Sequence, residues 1–440
     1  MNEIKKIFDN KINLFDRILF IFLSLIPISL AISIFVADLL TSISGIILLT
    51  KFLKRENTNI FKLIKYEIIF FLILYSIILT SFFFTEYKEY SFLASFFYFR
   101  YFLLSLALFY LLKKYDFFSR VFYKLFLISI FIVIADSFFQ YIFGYNFFGY
   151  EKIIRESGDL FYLSSFFNEE KKLGSYLVRF LPLILSLIYL SNNKISLFYE
   201  VTILLLVTII VFLSSERTAM FLLIIIYIFY FFIIKKRIFF IIPIIIIFFI
   251  LFNFERSLVY KYLTFTLNQT GLSLITKPSQ RPIFRDIIRY YSYEHENLSY
   301  TGLKAFRENF LFGTGVKTFY PYCRDNNKKY QFNDNKRKNR LVCSTHPHNT
   351  YVQILSEIGI FGFLLIVFLF FKTLSANIKI FFINKKNNLI KSYYFLNLSI
   401  IINIMPFIPS GSFFNNWLSL MMFFPIGYWF YIKDKFKNNA

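Results

Sequence analysis

The chain has 440 residues, 57% of them hydrophobic and 23% aromatic, with a mean hydropathy of +0.58 and a formal net charge of +23. These proportions exclude an ordinary soluble domain. A charge of this size points to nucleic acid only in a soluble protein; in a membrane protein it first sets orientation, so no nucleic-acid partner is expected.

A membrane-crossing helix needs roughly 20 mostly apolar residues. About twelve such runs follow one another, near 18–36, 37–52, 66–84, 91–112, 121–143, 174–190, 199–214, 218–234, 238–252, 350–371, 392–408 and 414–432. The expected fold class is all-α: a polytopic bundle of about twelve transmembrane helices. Residues 1–252 carry about nine of them and an outer segment at 144–173, residues 253–349 form one large outer loop, and residues 350–440 carry about three more. The polar, Lys-containing start without a small-residue cleavage site predicts no removable signal peptide.

With both termini in the cytoplasm, the inner side collects 25 Lys and Arg residues in the tails and short loops, whereas the short outer turns hold only Lys88 and Arg217. The two longer outer segments escape this rule, because long translocated loops are indifferent to it.

Along the chain, Arg100 and Asp136 stand at membrane depth, where an ionisable side chain faces the protein interior and is suspected of function; a pair between the two is expected as readily as a binding role. Ser214-Ser215-Glu216-Arg217-Thr218 forms a short outer turn. Its arginine can grip a phosphate with two hydrogen bonds, or pair locally with Glu216. The loop 253–349 carries 16 basic residues. Arg281, Arg285 and Arg289 fall on one helical face by their four-residue steps, with His295 and Arg307 as rivals. Helical periodicity covers Pro282 to Tyr291 and Leu298 to Asn309. Gly313-Thr314-Gly315 predicts a tight turn, and Cys323 to Val342 reads as polar and turn-rich. Cys323 and Cys343, the only cysteines, are expected to form a disulfide in a compartment that permits one, with two free thiols as the alternative. Their spacing does not suit zinc.

The loop ends in His346-Pro347-His348-Asn349, which holds two of the chain's three histidines. Pro347 disfavours helix at His346, and Asn349 or Thr350 is placed to cap the helix that follows. Asn349, Gln353, Ser356 and Glu357 give that helix a polar stripe. Gly359 and Gly362 predict a close approach by a neighbouring helix. A helix N-terminus disfavours a protonated imidazole, so His348 reads as a neutral general base or as an inert interfacial histidine. The tail element Pro406 to Trp417 reads as wall material.

His348-Asn349 followed by Gly359 and Gly362 resembles the signature of the O-antigen ligase and polymerase superfamily, GT-C-type membrane glycosyltransferases. The span pattern and the late outer loop resemble that family too. The resemblance implies transfer of a glycan from undecaprenyl pyrophosphate to an acceptor at the periplasmic face of the bacterial inner membrane, with inversion and without a metal or other cofactor. It implies His348 as the base and Arg217 as a ligand of the pyrophosphate. It also implies a second anion-binding arginine in the loop, among Arg281, Arg285 and Arg289, although this loop lacks the tryptophan that often follows that arginine. Arg100, His295, His346, Asn349, Gln353 and Glu357 would support the site, and Gly313, Gly315, Gly359 and Gly362 would shape it. Lipid A–core is the first expected acceptor. A polymerase or a protein O-oligosaccharyltransferase would use the same parts, and a polysaccharide or lipid transporter is a remoter reading.

Overall fold

The computed structural model describes residues 7, 12–56, 58–154, 161–190, 197–234, 249, 253, 262, 293–331, 342–382 and 387–439. Among the described residues helix dominates, at 80% against 2% strand. A continuous apolar run has no polar side chains to satisfy its backbone, and in lipid only the helix does so within one segment. In chain order the helices are α1 (Leu14–Ile32), α2 (Ile34–Leu53), α3 (Lys65–Phe84), α4 (Lys88–Phe96), α5 (Phe99–Lys114), α6 (Asp116–Phe143), α7 (Leu173–Leu190), α8 (Leu197–Leu213), α9 (Arg217–Ile233), α10 (Tyr293–Glu308), α11 (Phe319–Gln331), α12 (Thr350–Phe382), α13 (Asn388–Asn403) and α14 (Asn416–Asn439).

Seven helical stretches among the described residues are long and apolar enough to cross a membrane, and α8 and α9 are shorter apolar helices. The expected count of twelve is not reached among these residues, and the run at 238–252 lies almost wholly outside them. Large apolar side chains such as Phe35 on α2 and Phe371 on α12 stand exposed at 74% and 60%. In a membrane-spanning chain such positions meet lipid rather than water.

The core of the bundle lies where α13 packs between α7 and α14, with α5 against α14. At one end, Asp16 of α1 is fully buried and bridged by Lys51 at 2.9 Å and Lys114 at 2.7 Å, which ties the ends of α1, α2 and α5 together. At the other end the Tyr176 hydroxyl of α7 donates to the Pro27 carbonyl of α1 at 2.7 Å. The candidate residues gather at this second end.

Several expectations need correction. Arg100 pairs not with Asp136 but with Asp38 of α2, its Nε and Nη2 donating at 2.9 and 3.2 Å. Asp136 instead accepts from the Phe147 N–H at 2.8 Å and from the side chains of Asn146 and Ser165. It bolts the segment after α6 to the bundle, together with Gln140, whose Oε1 accepts from the N–H groups of Ser164 and Ser165 at 3.0 and 2.8 Å. That segment carries a two-stranded antiparallel ribbon, β1 (Ile153–Ile154) on β2 (Phe161–Tyr162). Depth along the sequence flags a charge; it does not say which helices are neighbours.

The stretch from Cys323 is helical as far as Gln331 within α11, where a turn-rich segment was expected. Cys323 and Cys343 form a disulfide. Pro282 to Tyr291 lies outside the described residues.

Gly359 does not admit a neighbouring helix. It breaks α12 with φ 71° and ψ −167°. The loop backbone fits into the break: the N–H groups of Thr314 and Gly315 donate to Ser356 and Glu357, and that of Ile360 donates to Phe310, at 2.8, 2.9 and 3.0 Å. A Cβ at Gly359 would stand 2.1 Å from the Leu311 carbonyl oxygen, and one at Gly313 2.4 Å from the Glu357 carbonyl carbon. Both glycines are therefore required for one backbone-to-backbone junction, and both take positive φ, the region glycine enters freely. Gly315, also at positive φ, completes the turn. At Gly362 the atoms nearest to an added Cβ belong to the side chain of Ile358 on the same helix, not to a neighbouring one.

Asn349 is the cap of α12. Its Oδ1 accepts from the N–H groups of Tyr351 and Val352 at 3.0 and 3.1 Å. Asn349→Ala should lower stability by about 1 kcal/mol, the usual cost of losing such a cap. A thermal melt of the detergent-solubilised protein measures this.

Candidate active site

A cavity of about 420 Å³ opens at the end of the bundle reached by the N-terminus of α7. Five pieces of chain build it: α7 with Lys171 just before it, the turn between α8 and α9, the start of α10, the segment leading into α12, and the turn leading into α14. His348 and Arg217 both line it, and so do His346 and His295. All three histidines of the chain thus meet in one place. The His346 and His348 rings lie 4.1 Å apart between centroids, and those of His295 and His348 lie 5.4 Å apart.

The turn before α14 is fastened directly to the histidine segment. Ser410 donates its N–H to the His348 carbonyl at 2.8 Å, and its own carbonyl accepts from His346 Nε2 at 3.1 Å. Pro409, Ser410 and Gly411 form this side of the cavity wall. His348 takes a φ of 53°, in the left-handed region that non-glycine residues enter rarely and mostly in turns and functional sites. The Ser344 hydroxyl stands 3.3 Å from its Nε2.

His346 is a different kind of histidine. A carbonyl can only accept, so Nε2 carries the proton that bonds Ser410, and Nδ1 receives the Thr345 hydroxyl at 2.9 Å. Burial, and after it the adjacent His348 ring, push its pKa down to about 4. Below pH 6.5 the unfolded chain takes up a proton that folded His346 refuses, so stability should fall between pH 6.5 and 4, by on the order of 3 kcal/mol in all, and level off below. Thermal melts across that window should show the slope in the wild type and a shallower one in His346→Gln.

In the turn between α8 and α9, Glu216 lines the cavity and is buried. Its carboxylate accepts from the N–H groups of Gly174 and Ser175 at 2.6 and 3.0 Å, capping α7 with a negative charge where the helix dipole favours one. Burial raises its pKa against the pull of those N–H groups. Glycine at 174 permits the contact, since a Cβ there would lie 2.5 Å from Ser214 Oγ. Arg217, first residue of α9, is exposed at the rim. Lys171 and Arg179 add two more positive charges to the lining, so three basic side chains face one carboxylate. Such a cavity attracts anions. Among the described residues no group of three His, Cys, Asp or Glu is arranged to hold a metal ion.

Not every candidate is here. Gln353 and Glu357 are buried behind the wall, at 1% and 0% exposure. Gln353 donates to Glu357 Oε2 at 3.1 Å and to Ser412 Oγ at 2.9 Å and accepts from the Phe413 N–H at 2.8 Å, so the polar stripe of α12 holds the turn that walls the cavity. Arg100 lines a separate cavity of about 430 Å³ with Asp38, Lys317 and Asn416. Arg307 does not line the cavity of His348. Arg281, Arg285 and Arg289 lie outside the described residues.

Arg179 was missed. It sits inside the apolar run of α7, the one place where a sequence rule does flag an arginine, because an ionisable residue at membrane depth is a suspect by default.

Residues 202–367 match the family model described as O-antigen ligase. The matched span runs from α8 into α12 and includes Arg217, His295, His346 and His348. No curated protein matches the chain. Over this span, and in its run of apolar helices, the chain is similar to the O-antigen ligase and polymerase superfamily of membrane enzymes.

Proposed function

We infer that this protein is a glycosyltransferase that moves a glycan from undecaprenyl pyrophosphate onto lipid A–core, as an O-antigen ligase does. The observation that carries this reading is that His348 and Arg217, 131 positions apart in the chain, line one cavity. In the topology proposed here both termini are cytoplasmic, about twelve spans cross the inner membrane, and residues 253–349 are periplasmic. The basic residues Lys51, Lys113 and Lys114 at the end far from the cavity support that orientation.

The chemistry follows from the groups present. The acceptor hydroxyl attacks the anomeric carbon and gives its proton to His348. The new carbon–oxygen bond forms as the bond from the anomeric carbon to phosphate oxygen breaks, with inversion. The leaving diphosphate takes the electron pair, and Arg217 stabilises it. This leaving group needs charge stabilisation and alignment rather than protonation, which fixed cations supply without a metal. His346 holds its proton between Thr345 and Ser410, so it positions the segment and does not serve as the base.

A deletion strain tests the acceptor. Long lipid-linked glycan together with bare lipid A–core is the expected result. Single capped repeats would make the enzyme a polymerase instead, and a normal glycolipid profile with unglycosylated protein would make it protein-directed.

A further inference from the structure

Arg179 is 3% exposed yet lines the cavity of His348 and Arg217. Taking a guanidinium out of water is costly unless a counter-charge and hydrogen bonds replace the lost solvent. What α13 offers is neutral: Nη1 donates to the Asn403 side-chain oxygen at 2.9 Å and to the Ile402 carbonyl at 3.3 Å. Nε is buried and has no hydrogen-bond partner among the described residues. The acid that acts on Arg179 through space is Glu216, and its carboxylate is already engaged by the N–H groups of Gly174 and Ser175. No described carboxylate forms an ion pair with Arg179. The chain thus places a positive charge, held from behind by α13, against an open cavity that already holds Arg217 and Lys171.

We propose that Arg179 is a second ligand of the donor's diphosphate, gripping it from the floor of the cavity while Arg217 grips it from the rim. The proposal rests on the reading of the donor as a lipid-linked diphosphate. A phosphate group in the cavity would supply the missing negative charge to the guanidinium, whose planar donor set suits phosphate better than an ammonium does. Asn403 then acts as the positioning residue that fixes the guanidinium plane.

The experiment uses the full-length protein in nanodiscs, with inorganic pyrophosphate and a short-chain polyprenyl pyrophosphate as probes in a thermal-shift titration. Wild type and His348→Ala should both be stabilised by the probes. Arg179→Gln should bind them at least about tenfold more weakly, the scale of losing one hydrogen bond to a charged group. Arg179→Lys, which keeps the charge where burial threatens folding of the glutamine variant, should raise the donor KM and leave the acceptor KM unchanged. Wild-type affinity for the probes in Arg179→Gln, or equal shifts of both KM values in Arg179→Lys, would overturn the proposal. The reading of the enzyme fails separately: wild type would bind pyrophosphate yet transfer no glycan to any of the three acceptor classes.

Discussion

His348→Ala should reduce glycan transfer by about 100- to 10,000-fold, the usual contribution of a positioned general base, with expression and membrane insertion intact. The expected loss is in kcat, since the imidazole takes a proton only as the new bond forms and contributes little to holding the donor. His346→Gln is the internal control. It removes a neighbouring ring whose two nitrogens are already committed to Thr345 and Ser410, so its effect should fall on stability below pH 6.5 and far less on turnover at neutral pH. Equal losses of turnover in the two variants would mean that the histidine cluster works as a structural unit and that His348 has no special role. Transfer assays on isolated membranes, with glycolipids resolved by gel, separate these outcomes.

Arg217→Ala should cost about 100- to 1,000-fold, comparable with removing one preorganised donor from a site of developing charge. Arg217→Lys should recover part of this, because it keeps the charge but loses the planar two-bond grip. The position of Arg217 makes the prediction specific. It starts α9 and lines the same cavity as His348, so the reacting carbon would lie between base and leaving-group ligand. If Arg217→Ala transferred glycan at the wild-type rate, the leaving group would not be held by this residue, and the direction of attack inferred here would be wrong.

What the sequence told of the fold follows from the lipid environment. An apolar run has essentially one hydrogen-bonding solution in a bilayer, so the runs near 18–36 or 121–143 could be read as helices without knowing their neighbours. Three-dimensional partnership was another matter. Arg100 and Asp136 both stood out as charges at membrane depth, yet only Asp136 is buried, anchoring the chain around Asn146 and Ser165, while Arg100 is part-exposed and pairs with Asp38. Composition contains no term for which helix lies next to which. Gly359 was legible as special but not as a break, since a glycine at a close helix approach and a glycine at positive φ look alike in a string of letters. His348 and Arg217 stood out because a motif spacing and a short basic turn are local signals. Arg179 did not, although it lies in the same cavity. Its place inside the apolar run of α7 was a signal left unread, whereas its neutral partners on α13 and the carboxylate diverted to the end of α7 are visible only in three dimensions.

The most direct test of the central claim is transfer by the purified protein in nanodiscs, given undecaprenyl-pyrophosphate-linked glycan as donor and lipid A–core as acceptor, with a chelator of divalent metals present. The account predicts glycan joined to lipid A–core, free undecaprenyl pyrophosphate in equal amount, and neither product from His348→Ala. Donor left intact by the wild-type protein, with lipid A–core and equally with lipid-linked repeats or protein as acceptor, would contradict it.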